Sequence, residues 1–184
     1  MANPQTRTIL RYELVGTLFI ILLGSMLHFT FELSGYNSIV GAFSAVNESV
    51  WEHLKLGFWS AIIWAIIEYW QIKKETNNFF LAKTVVPYAI TVIIPLIFYS
   101  YTCVTGESIF IIDIISFIVA VIIGQYLSYR LLLHKQLTPN LEKIGLAALL
   151  LLSIAFIVFT FYTPQLPPFQ DPISGEYGII EHAH

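Results

Sequence analysis

The stretch NESVWEHLK (residues 47–55) runs directly into LGFWSAIIWAIIEYW (residues 56–70). The second string holds one charged side chain, Glu68, and its length and apolarity suit a membrane span. Such a span is helical, because hydrocarbon satisfies no free backbone N–H or C=O group. The first string is its opposite. Asn47, Glu48, Ser49, Glu52, His53 and Lys55 crowd the mouth of that helix, where polar side chains need partners or water. The apolar run decides the fold, and the polar run marks the place to look for function.

The rest of the chain reads the same way. Of its 184 residues 57% are hydrophobic and 11% are charged, against roughly 25% charged in soluble domains. Four further segments, near residues 9–31, 79–101, 108–132 and 143–162, approach or exceed the ~20 residues that cross a bilayer. With residues 54–70 they predict an all-α, polytopic membrane helical bundle of about five transmembrane helices over residues 1–162. The first segment is too long for a signal peptide and lacks a small-x-small cleavage site, so it reads as a retained span. A net charge of −3 offers no basic footprint for nucleic acid. The single cysteine, Cys103, excludes an internal disulfide framework and a Cys-rich metal site, and its apolar surroundings predict a small core residue.

Charge sets the expected orientation. Arg7 and Arg11 precede the first span, Lys73, Lys74 and Lys83 flank the second connection, and Arg130, Lys135 and Lys143 flank the fourth. The opposite side carries Glu32, Glu48, Glu52, Glu107, Asp171 and Glu176, with Lys55 as its one cation. The positive-inside rule then places the N-terminus in the cytoplasm and the C-terminal tail outside. Gly16, Gly24 and Gly124 fit close helix packing, and Pro87 and Pro95 predict a bend or a loosened turn in the third span. Residues 36–46 are apolar but too short to cross; a surface segment and a re-entrant half-helix both fit.

The polar residues of the outer side form the candidate site. His28 and Glu32 share a face at the end of the first span. Glu48, Glu52 and Lys55 share a face if their segment is helical, with His53 about a quarter-turn away. Asp113 lies inside the fourth span, where an ionisable group calls for a partner or a cavity. Together with Asn47, Trp51 and Asp171, these residues predict a polar pocket. Two imidazoles among carboxylates are a plausible first shell for a divalent ion such as zinc, or for iron or manganese, with His28, Glu48, Glu52 and His53 as ligands. No His-Glu-x-x-His motif supports it. A purely structural account competes: Ser49-x-x-Glu52 is a capping box, Lys55 pairs with Glu52 or Glu48, and Trp51 anchors at the interface. Glu13 and Glu68 near the inner ends are expected to snorkel or to pair with Arg7, Arg11 or Arg130; a proton or cation path from Glu52 to Glu68 is the sharper alternative.

Residues 163–184 change character. Pro164, Pro167, Pro168 and Pro172 precede Gly175 and Gly178, yet Phe169, Asp171 and Tyr177 are not linker residues. A flexible end and a lid folded over the outer pocket are both open readings, the lid bringing Asp171 or Glu176 toward His53 or Lys55. His182 and His184 are given no role.

The chain resembles an uncharacterised family of small bacterial multi-pass membrane proteins, a domain of unknown function. The resemblance rests on Gly24-Ser25-x-x-His28-Phe29, on Asn47-Glu48-Ser49-Val50-Trp51-Glu52-His53-Leu54-Lys55, and on Pro168-Phe169-Gln170-Asp171-Pro172 with Gly175-x-Tyr177-Gly178. It implies a bacterial inner (plasma) membrane setting, and a single site shared by first-span, second-span and tail residues. It implies no activity.

Three functional readings follow. The first is binding or transport of a cation or small polar solute; so few spans would call for a homo-oligomer or a partner membrane subunit. The second is a membrane-embedded metal-dependent hydrolase acting on a lipid or headgroup. The third is a structural or regulatory subunit in which the motif only caps and packs.

Overall fold

The computed structural model describes residues 3–180 and is all-helical among them; His182 and His184 lie outside. Five helices are long and apolar enough to cross a membrane: α1 (Pro4–Leu33), α3 (Val50–Ile72), α4 (Phe79–Thr105), α5 (Phe110–Leu133) and α6 (Pro139–Phe161). A short helix, α2 (Ser38–Gly41), lies between α1 and α3. Single 3₁₀ turns occupy Lys73–Glu75 and Pro167–Phe169.

Local chemistry extends most helices beyond their apolar cores. Asn3 caps α1 by accepting from the Gln5 N–H, and Pro4 starts it, so α1 begins five residues before the apolar run. Ser49 caps α3, which therefore starts at Val50. Thr138 and Pro139 open α6. The buried Asn78 stands before α4 in the left-handed region (φ 52°) and ties that helix to the α5–α6 connection. Its amide nitrogen donates to the carbonyls of Leu131, His134 and Lys135, and its Oδ1 accepts from Leu137 N–H at 2.8 Å. Pro87 and Pro95 sit inside an unbroken α4.

The helix α4 packs against α3, α5 and α6, while α1 packs against α3 and α5. Phe58, Ala61, Trp64, Val86, Ile90, Ala120, Val121 and Phe156 form the core between them. The glycines do serve close packing: a Cβ on Gly16 would strike Trp64 and Gln125, and one on Gly124 would press on the Val86 backbone. The outward faces of α1 and α6 are apolar (Leu14, Leu18, Leu22 and Met26; Leu150, Leu151 and Ile154) and suit a lipid surround. Cys103 is exposed near the end of α4, not a core residue, because the last residues of that helix, 103–105, are all exposed.

One end of the bundle, the cationic end, gathers the start of α1 with Lys73–Glu75 and the α5–α6 connection; Gln5 donates to the Glu75 carbonyl there and Asn77 N–H to Leu132. The motif end gathers the end of α1, residues 34–49, the start of α3 and the tail. Residues 36–46 divide between surface and core: Asn37, Ser38, Ile39 and Phe43 are exposed, and the rest of the second half turns inward. Ala42, Ser44, Ala45 and Val46 are buried, the Ser44 hydroxyl donates to the Leu27 carbonyl and accepts from Phe31 N–H, and Trp59 Nε1 reaches the Ala42 carbonyl at 3.2 Å. Irregular backbone here is satisfied by protein.

Candidate metal centre

At the motif end three side chains converge from two helices and the turn between them. His28 Nε2 on α1 lies 3.2 Å from His53 Nε2 on α3. Glu48 Oε2, just before α3, lies 3.5 Å from the first and 3.4 Å from the second. The three ligand atoms form a nearly equilateral triangle. Metal–ligand bonds of about 2.0–2.1 Å put neighbouring ligands of a tetrahedron roughly 3.3–3.4 Å apart. The triangle thus has the dimensions of one face of a tetrahedral zinc-type site, and its composition is two imidazoles and one carboxylate.

The surroundings orient these groups. His53 Nδ1 lies 2.9 Å from the Ser49 carbonyl, which can only accept, so Nδ1 carries a proton and Nε2 is the nitrogen turned to the triangle. Glu48 is outside the helix, which frees its side chain from the face shared by Glu52 and Lys55 and turns it to the histidines. The hydrogen bond to His28, with the His53 and His28 charges, holds the Glu48 carboxyl below the usual carboxylate range, against the effects of burial and of the Asp171 charge. The side chains of His28, His53 and Glu48 are 30%, 38% and 43% exposed, so the triangle is reachable from outside the bundle.

The tail closes on the same turn. The 3₁₀ turn Pro167–Phe169 packs on α3, with the Phe169 ring 4.7 Å from Trp51. Asp171 Oδ1 accepts from the Glu48 N–H at 3.3 Å, and its Oδ2 accepts from the Ser174 N–H and hydroxyl. Burial opposes the Asp171 charge, but the hydrogen bonds from Ser174, Ile173 and Glu48 outweigh it and keep the carboxyl below its ordinary range. Gly178 (φ 74°) turns its carbonyl to Asn47 Nδ2, 2.8 Å away. The expected approach of Asp171 or Glu176 to His53 or Lys55 is replaced by this contact with the backbone that carries Glu48.

The remaining candidates separate from the triangle. Glu52, expected as a ligand, is buried and turned the other way: it lies 2.5 Å from Lys55 Nζ and accepts from the Val46 N–H at 3.1 Å. Lys55 completes its donors on the Gly41 carbonyl (2.7 Å) and Thr160 Oγ1 (2.9 Å). The capping box is half formed, since Ser49 Oγ accepts from Glu52 N–H while the Ser49 N–H goes to Asn47 Oδ1. Trp51 stacks among Phe156, Phe159 and Phe169 instead of anchoring at an interface. Glu32 is exposed, and its carboxylate has no hydrogen bond or ion pair among the described residues. Asp113 does not reach the pocket: α5 starts at Phe110, so Asp113 sits in its first turn and accepts from Tyr101 OH at 2.6 Å. At the cationic end, Glu13 and Glu68 pair with Lys83, not with an arginine.

Residues 1–179 match the model of a family described as Family of unknown function (DUF6512). The chain belongs to DUF6512. The match takes in the triangle and its tail contact alike. No curated protein and no solved structure matches this DUF6512 chain.

Proposed function

We propose that this DUF6512 protein is a multi-pass membrane protein that binds one divalent ion of the zinc class through His28, His53 and Glu48. The observation that carries this reading is the His28–His53–Glu48 triangle, whose edges of 3.2–3.5 Å match a tetrahedral face. Asn47, Trp51, Glu52, Lys55 and Asp171 form the scaffold that holds the triangle, which places the capping and packing account in the same motif. By the positive-inside rule the site faces away from the cytoplasm and the tail lies outside, over the turn that carries Glu48.

Binding is better supported than translocation. Below the site the bundle is filled by Phe58, Ala61, Ile90, Val121 and Phe156, an apolar layer that offers an ion no ligands among these described residues. Hydrolysis at a lipid headgroup is the second reading, favoured by one observation. Three protein ligands leave a fourth coordination position for water, and the triangle is partly exposed on the turn after Met26, whose side chain is on the apolar outer surface.

Elemental analysis of protein purified without chelator or histidine tag tests the proposal. About one zinc-class ion per chain is expected in the wild type and in Glu52→Gln, and none in His53→Ala. A wild type that takes up no such ion after incubation with zinc would sink it.

A further inference from the structure

The polar feature that the metal site leaves unused lies inside the spans, toward the cationic end. Glu13 on α1, Glu68 on α3 and Lys83 on α4 are 3%, 0% and 4% exposed. Lys83 Nζ lies 2.6 Å from Glu13 Oε1 and 2.5 Å from Glu68 Oε2, and donates to Ser128 Oγ at 3.1 Å. An ammonium has three donors; two are used on Glu13 and Ser128, and Glu68 is held by the ion-pair contact alone. The Ser128 hydroxyl in turn donates to Glu13 Oε1 at 2.9 Å, and Gln125 Nε2 donates to the Glu13 main-chain carbonyl at 3.2 Å.

Two deficits remain. Two carboxylates about one ammonium leave a net negative charge at membrane depth, where an uncompensated ion is costly. Donors are also short: Glu13 Oε2, both Glu68 oxygens and Gln125 Oε1 are buried acceptors without a hydrogen bond, against two spare donors, the Trp64 indole N–H and the third Lys83 N–H. Gln125 is 3% exposed and is held against Glu13, so its orphan oxygen is a sign of something missing that does not depend on the acidic pair. A single proton repairs both deficits, since it cancels the charge and turns one acceptor into a donor. A metal ion would cancel the charge but would sit beside an ammonium already in contact with both carboxylates.

We propose that Glu13 and Glu68 together bind one proton at neutral pH, making the Glu13–Lys83–Glu68 cluster a neutral proton-binding site within the membrane. The groups packed around it supply no competing charge. Helix α5 brings only Ser128 and Gln125. On α6, Glu142 accepts from the Phe80 N–H at 2.8 Å, and Lys143 is exposed. Tyr12, Tyr69 and Tyr129 make no hydrogen bond to the cluster among the described residues; Tyr12 OH faces Gln71.

Infrared spectroscopy of the full chain tests this, because a protonated carboxylic acid has a C=O stretch distinct from that of a carboxylate. The wild type at neutral pH should show such a band, and both Glu68→Gln and Glu13→Gln should lose it. Ser128→Ala, which removes a hydroxyl partner of Glu13 without changing charge, should shift the band, and it covers the case in which a glutamine variant does not fold. Absence of the band in the folded wild type would overturn the proposal. So would a band that survives unshifted in every variant that folds, which would belong to another carboxyl. A missing band together with a sodium-dependent rise in melting temperature would assign the cluster to a metal cation instead.

Discussion

Replacing Lys55 with methionine is the sharpest test of how the motif divides between scaffold and site. Lys55 is fully buried, and its ammonium serves Glu52 at 2.5 Å, the Gly41 carbonyl at 2.7 Å and Thr160 at 2.9 Å. It therefore ties α3 to residues 36–46 and to α6 at one point. Lys55→Met keeps the apolar stem but strands the Glu52 carboxylate with only the Val46 N–H as partner. Breaking a buried pair from one side costs about 3–5 kcal/mol. At roughly 2–4 °C per kcal/mol for a chain of this size, the melting temperature should fall by about 6–20 °C. Adding Glu52→Leu removes the stranded charge, and the double variant should recover most of that loss, since buried pairs replaced by apolar residues are often near neutral. Thermal unfolding in detergent, with elemental analysis of each folded sample, reads both effects. Metal content should stay at that of the wild type throughout. A Lys55→Met protein with unchanged melting temperature would refute the scaffold assignment. Loss of metal from Glu52→Gln at unchanged stability would make Glu52 a ligand after all.

Three further outcomes follow from the same geometry. Asp171→Asn weakens the acceptor that fixes the Glu48 N–H and the Ser174 turn, so metal affinity should drop by about 10–100-fold with all three ligands present, read by competition with a chromogenic chelator. Glu48 and Asp171 both have carboxyls held below their ordinary values, so the unfolded chain binds more protons than the folded one across the carboxylate range. Their stability contribution is present above the unfolded values and is lost as pH falls through the folded ones; melting temperature should decline there on acidification, and Asp171→Asn should flatten that limb. Asp113→Asn should leave metal content untouched and cost about 1–2 kcal/mol through the Tyr101 hydrogen bond, measured by thermal unfolding.

The five helices were legible because hydrocarbon length and apolarity leave little choice, and the membership of His28, Glu48 and His53 was legible because ionisable groups at a span mouth need company. What the residues could not show was which way each side chain turns. Glu52 and Glu48 looked equivalent at i, i+4 spacing, but Ser49 starts the helix between them, so Glu48 is free to turn to the histidines while Glu52 is carried into the core. Lys83 read as a flanking cation because it lies near a helix start; its inward direction depends on Glu13, Glu68 and Ser128 meeting at one depth, which only packing decides. Asp113 was assigned to the pocket on the assumption of a deeper position, and the later start of α5 put it beside Tyr101. The tail was ambiguous because proline content fits a loose end as well as a fixed loop; the Trp51–Phe169 contact and the Asp171 hydrogen bonds, which no sequence pattern announces, are what favour the fixed loop.

The two polar centres are insulated from each other. Glu52 and Glu68 are sixteen residues apart on α3, roughly 24 Å along the axis. Between them Phe58, Ala61 and Trp64 are buried against Ile90, Val121 and Phe156, and the one hydroxyl on that face of α3, Ser60, is spent on the Leu56 carbonyl at 2.7 Å. Among the described residues, no chain of polar side chains therefore links Glu52 to Glu68 in this conformation. Communication between the ends would have to be mechanical. The helices α1 and α3 each contribute to both centres, α1 through His28 and Glu13, α3 through His53 and Glu68. Gly16 makes room for the Trp64 side chain of α3, and Gly24 for the Phe117 ring of α5 with Ser60 of α3 close by. Helix shifts of about 1–2 Å are the ordinary scale of such transitions. One of that size between α1 and α3 would take the 3.2 Å His28–His53 separation out of the tetrahedral range, which is how a change in charge on the Glu13–Lys83–Glu68 cluster would reach the proposed metal site.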